Sequence, residues 1–183
     1  MKIATARAAI TAMALVLSCG AWAADKKGDD NKVSRGDKNF IAKAMKGGAT
    51  EVELGKLAAQ NAASPQVKQF GQRMVDDHSK AGDELQAIAS KLGYTPPKNA
   101  GPDKGEVKKF SKMKAEKFDR EYVKHMVKDH EKDVKLFQKQ AEKGESAELK
   151  QFAAKTLPTL QEHLKMVRAM KDQDKGDKPA KKS

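Results

Sequence analysis

The sequence predicts an all-α fold, an up-down-up-down four-helix bundle flanked by polar, disordered tails. Three observations carry that expectation. Of the 183 residues 38% are hydrophobic but only 5% aromatic, which suits thin Ala/Leu/Met packing better than a large sheet. Apolar residues recur at three- and four-residue steps over long stretches, with almost no two-residue alternation. Breakers at Ser64-Pro65, Gly93 to Pro102 and Lys143-Gly144 fall between those stretches and divide them.

Residues 1–23 read as a secretory signal: Lys2 and Arg7 precede the apolar run Ala8 to Leu17, and Ala21-Trp22-Ala23 is an A-x-A cleavage site. That run is too short to span a membrane, for which about 18 apolar residues are wanted. Cleavage after Ala23 gives a periplasmic or secreted protein and removes Cys19 and Trp22, the sole Cys and Trp of the chain. The mature chain then has no thiol to pair. A second route to export is a lipoprotein acylated at Cys19, since Val16-Leu17-Ser18-Cys19 loosely resembles a lipobox. Residues 24–36 form a polar lead, and residues 171–183 a Lys/Asp tail with no apolar surface to bury.

The bundle proper is expected over residues 37–170. Helix A, from about Asp37 to Ala63, sets Phe40, Ile41, Ala44, Gly48, Glu51, Gly55 and Ala58 near one face. Ser64 followed by Pro65 is a cap and a first-turn proline. They open helix B, whose stripe is Val67, Phe70, Met74, His78, Ala81, Leu85, Ile88 and Leu92, and Gly93 ends it. After the proline-rich connection, Asp103-x-x-Glu106 offers a capping box for a short piece reaching Met113. Helix C carries Phe118, Tyr122, Met126, His130, Val134 and Phe137, and stops at Lys143-Gly144. Ser146 caps helix D, with Leu149, Phe152, Thr156, Leu160, His163, Val167 and Met170 on its stripe and Pro158 inside it as a source of bending. The short A-B and C-D turns make each pair antiparallel.

Four blocks of residues, in order, carry a resemblance to a known family. They are Glu51-x-Glu53-Leu54-Gly55-x-Leu57-Ala58, Val67-x-x-Phe70-x-x-x-Met74-Val75-x-Asp77-His78, Phe118-Asp119-x-x-Tyr122 with His130, and Phe152-Ala153 with Thr156-Leu157-Pro158-x-Leu160-x-x-His163. The chain from about Asp37 to Met170 resembles the bacterial domain of unknown function 4142 family. The resemblance implies an exported, ferritin-like four-helix fold and no established activity.

Three of the four histidines, His78, His130 and His163, fall on the apolar stripes of three different helices. With Glu51 they lie 12 to 17 residues from the helix turns, a spread of about 7 Å at about 1.5 Å per residue. Glu51, Asp77, His78, His130 and His163 are therefore the expected polar interior and candidate metal ligands, because imidazoles and carboxylates on facing helices are how bundles hold copper or iron ions. Met74 and Met126, one turn before His78 and His130, are candidate soft accessory ligands for Cu(I). As fillers of a thin core they need no metal. A di-iron centre wants Glu-x-x-His on two helices, and Val75 and Leu160 stand where those glutamates belong. His125 lies one residue off the stripe, where a surface or boundary position is expected.

The formal charge of +12 raises polyanion binding, but the lysines of helix C alternate with acids, as on a solvated face. No nucleic-acid partner is expected, since Phe40, Phe70, Phe118, Phe137 and Phe152 are committed to the core. No nucleophile-base pair, phosphate loop or dinucleotide fingerprint is present. Two readings result: a non-enzymatic envelope protein of interaction or stress type whose partner is an unidentified envelope component, and an exported protein that binds copper or iron.

Overall fold

The structure, a computed structural model, describes residues 33–176. The expected signal segment with Cys19, the polar lead as far as Lys32 and the tail from residue 177 lie outside the described residues. Within them the chain is all-helical: α1 (Arg35–Asn61), α2 (Pro65–Lys91), a 3-10 turn at Lys98–Ala100, α3 (Lys104–Ser111), α4 (Ala115–Lys143) and α5 (Ala147–Gly176). None of these helices is long and apolar enough to cross a membrane.

Most helix ends obey their local residues. Ser34 caps α1 by accepting from the Asp37 amide, Asp103 caps α3 by accepting from Gly105 and Glu106, and Ser146 caps α5 by accepting from Leu149. Gly93 takes φ +65° just beyond α2, where a side chain would be strained. Two ends differ from expectation. Ser64 occupies the cap position of α2 but its hydroxyl bonds nothing there. Asp119 of α4 does the work instead, accepting from the Ala63 amide at 3.1 Å and the Ser64 amide at 2.7 Å. The polar tail expected from residue 171 also begins late, because no breaker precedes Gly176 and α5 simply continues through Lys171 and Asp172.

Asp37 mirrors Asp119. Buried at the start of α1, it accepts from Gln140 Nε2 at 2.6 Å, the Ser146 amide at 2.9 Å and the Glu145 amide at 3.4 Å. One carboxylate thus ties the α1–α2 turn to the start of α4, and the other ties the α4–α5 turn to the start of α1. The two turns consequently sit at opposite ends of the domain, and the helices run up, down, down, up. The expected up-down-up-down order fails at α4. The residues between α2 and α4 explain this, because they climb the length of α1. Tyr94 lies beside Lys38, the Asp103 amide donates to Thr50 Oγ1 at 2.9 Å, and Phe110 reaches the Phe118 ring at 5.9 Å.

α1 packs along α2, and α4 along α5. The first pair meets closely at Gly55 and Gly71, each eight residues from Ala63. A methyl at position 71 would lie 2.6 Å from Ala58 Cβ and 2.7 Å from the Gly55 carbonyl, so only glycine lets the backbones approach so near. The core has two parts. One gathers Leu54, Phe70, Met74, Phe110, Phe118, Tyr122 and Met126, and the other Phe40, Ile41, Leu85, Phe137, Leu149, Phe152 and Leu160. The stripes deliver a third, polar set to the middles of the four long helices: Glu51, His78, His130 and His163, all buried.

Candidate metal centre

Each of the four long helices contributes one polar residue near its midpoint. For this reason reversing α4 and α5 leaves their levels unchanged. The three imidazoles stand at 5.4 to 5.6 Å between ring centroids, and one ring nitrogen of each lies within 4.8 Å of those of the other two.

The partners of the rings fix their tautomers. His163 Nε2 lies 2.8 Å from Asp77 Oδ2, and His130 Nδ1 lies 3.0 Å from the Met126 carbonyl oxygen. Both oxygens can only accept, so those nitrogens carry the hydrogens of the neutral rings. The remaining nitrogens, His163 Nδ1 and His130 Nε2, then face each other with lone pairs at 3.4 Å. Two nitrogens bound at 2.0–2.1 Å to a tetrahedral ion lie about 3.3 Å apart. The third ring completes the set, since His78 Nε2 is buried with no hydrogen-bond partner.

Glu51 sits behind the rings. Its Oε2 is 3.2 Å from His78 Nδ1 and its Oε1 3.2 Å from His130 Nδ1, but neither approach has hydrogen-bond alignment, because the His130 hydrogen already points at Met126. Asp77 likewise occupies the far nitrogen of His163 and is itself held by Arg73 Nε at 3.3 Å. Arg73 also donates to Glu162 Oε2 at 2.8 Å. The carboxylates expected among the ligands therefore back the imidazoles, as outer partners of metal-bound histidines do. Met74 and Met126 are fully buried in the apolar part around Phe70 and Tyr122, and Met126 serves His130 through its carbonyl.

Burial decides the charges. It pushes the His78 imidazole well below its usual value, with repulsion from His130 and His163 adding to the effect. Burial and His163 bring His130 down to about 4 against a smaller upward pull from the Met126 carbonyl. His163 is also lowered by burial, partly offset by Asp77. Glu51 is raised well above the carboxylate range by burial and by Asp133 and Asp129, and Asp133 rises to about 7, chiefly through burial and Asp129. Three neutral imidazoles at neutral pH, free of competing protons, are the state a cation needs.

His125 is half-buried within α4 rather than fully exposed or at a helix boundary. Its side chain, 17% exposed, holds Nδ1 3.3 Å from Glu106 Oε1 and Nε2 2.8 Å from Asp129 Oδ2. The Asp129 spacing of one helical turn was readable in the sequence. Glu106 and Arg73 were not singled out as partners, because only the packing of α3 against α4 and of α2 against α5 brings them in.

Two solved structures share this fold. A DUF305 fragment from Deinococcus radiodurans is 13% identical at a TM-score of 0.68, covering 77% of this chain and 98% of that one. CopM in its Cu(II)-bound form is 15% identical at a TM-score of 0.64, covering 74% of this chain and 95% of that one. No curated protein matches. The family model for the domain of unknown function DUF4142 matches residues 23–170, and the chain belongs to that family.

Proposed function

We propose that this protein is an exported, non-enzymatic four-helix bundle that binds one copper ion between His78, His130 and His163, with Glu51 and Asp77 positioning the rings. The observation that carries the reading is the pair of facing lone pairs, His163 Nδ1 and His130 Nε2 at 3.4 Å. Without a cation or an extra proton that contact is repulsive, and burial disfavours the proton. Three imidazoles suit copper, which also stands highest in divalent affinity. The fold shared with CopM, solved with Cu(II) bound, supports the same choice. Iron fits less well, since the carboxylates lie behind the rings.

The signal segment read from residues 1–23 supplies the exported location. The bound ion would supply either a stored cargo or a redox centre, and the chain's own part is to hold three neutral ligands out of water. A second reading, an interaction or stress-type protein with a purely structural polar interior, draws on the Asp77 and Met126 partners, which satisfy one nitrogen on each of two rings. A Cu(II) titration separates the two. An ion held by several imidazole nitrogens in the parent, and that nitrogen-rich site lost after His78→Gln with His130→Gln in a protein that keeps its helical circular dichroism, supports the copper reading. No stoichiometric uptake by the parent would refute it.

A further inference from the structure

We infer that Glu106, His125 and Asp129 form a second, outward-facing cation site that captures a divalent metal ion and passes it inward; the passing on rests on the three-histidine reading above. One donor atom from each residue lies within 4.8 Å of the other two. The set is assembled by packing. The Asp103 amide bonds Thr50 Oγ1 and the Asp103 carboxylate opens α3, which presents Glu106 to α4. Phe110 at the end of α3 then covers the His125 ring at a centroid distance of 5.3 Å.

The chemistry differs from that of the inner centre. Two carboxylates and one imidazole make an anionic, oxygen-rich set, whereas the three inner rings are neutral. Side-chain exposures of 31%, 17% and 23% for Glu106, His125 and Asp129 leave the set open to solvent, as capture and release require. Asp129 is held between His125 Nε2 and Lys132. Lys132 Nζ, 2.8 Å from Asp129 Oδ1, is the cation an arriving metal displaces. That exchange puts a dication where a single ammonium charge stood and needs no redox step.

An independent feature points inward. The three residues line a cavity of about 930 Å³ that is also lined by Asp133 and Glu51. Glu51 is 1% exposed, takes no aligned hydrogen bond from either neighbouring imidazole and faces Asp133. The cavity, lined by lysines as well as acids, thus joins the three outer donors to the buried carboxyl of Glu51, whose other side touches His78 and His130. A dication held at Glu106, His125 and Asp129 has the Asp133 and Glu51 oxygens along the same cavity before the three inner rings.

The test uses Cu(II) as the probe and the full chain. With the inner rings removed by His78→Gln and His130→Gln, one Cu(II) should remain, with an electron paramagnetic resonance spectrum of one imidazole nitrogen and oxygen ligands. Adding Glu106→Gln and Asp129→Asn should abolish it. The E106Q/D129N protein alone should fill its inner site to the parent's final level but at least tenfold more slowly. If the H78Q/H130Q protein holds no Cu(II), or E106Q/D129N loads at the parent rate, the proposal falls and His125 is an ion-pair clip between two acids. Circular dichroism checks folding, and His125→Gln repeats the experiment should the double carboxamide variant prove unstable. E106Q/D129N protein that takes up no copper at all would instead count against the three-histidine centre.

Discussion

Acidifying the metal-free protein should cost it stability through His130 in particular. The ring is 0% exposed, and its pKa falls from 6.5 to about 4 on folding. Between those two values the unfolded chain takes up a proton that the native state refuses, so the contribution is complete above pH about 6.5 and is lost as pH falls through about 4. At about 1.4 kcal/mol per pKa unit the loss between pH 7 and pH 4 is about 3 kcal/mol. Asp133 tilts the other way. Its pKa is raised from 3.8 to about 7, so the stability it contributes is full below pH about 4 and disappears as pH rises through about 7. The two effects are separated by comparing the parent with His130→Gln in urea unfolding at pH 7, 5.5 and 4. The parent's stability relative to the variant should fall by about 3 kcal/mol across that range. The His130 ring resonances should show a midpoint near 4 in an NMR titration. A midpoint near 6.5, with a pH-independent difference between the two proteins, would refute the dry, neutral polar layer.

Packing sets the remaining expectations. Gly71→Ala should destabilise by about 1–3 kcal/mol through overpacking, because its methyl meets Ala58 and the Gly55 carbonyl, whereas Gly82→Ala, with open space around it, should gain about 0.5–1 kcal/mol from helix propensity; thermal unfolding of both reads the sign. Asp37→Ala strips the acceptor from Gln140, Glu145 and Ser146 and should cost about 3 kcal/mol, with amide exchange quickening first at the α4–α5 turn. Phe70→Ala and Phe137→Ala should each lose about 3–5 kcal/mol in urea unfolding, while the exposed Lys139→Ala stays near neutral.

Local chemistry made the helices readable. The stripes from Val67 to Leu85 and from Phe118 to Phe137 are buried where their periodicity puts them, apart from the half-buried Ala81 and Val134, and the capping roles of Asp103 and Ser146 came from side chains close in sequence. The direction of α4 was not readable, because it depends on the path of residues 92–114 and on Asp119 and Asp37, whose partners are 55 and 109 residues away. The same division runs through the site. His78, His130, His163 and Glu51 could be brought to one level by counting residues, since each lies mid-helix and the level survives a reversal of direction. Which atom of each ring faces inward could not be counted. For His130 and His163 it follows from Met126 and from Asp77 with Arg73, and it sets Asp77 behind its ring, as Glu51 also sits.

Convergence of three imidazole lone pairs on one copper ion is tested most directly by anomalous diffraction at the copper absorption edge, from crystals of the Cu(II)-loaded protein. A peak is expected between His78, His130 and His163, bonded at about 2.0 Å to His163 Nδ1 and His130 Nε2, with Asp77 and the Met126 carbonyl still on the opposite nitrogens. A fully loaded crystal with no copper between the three rings would contradict it.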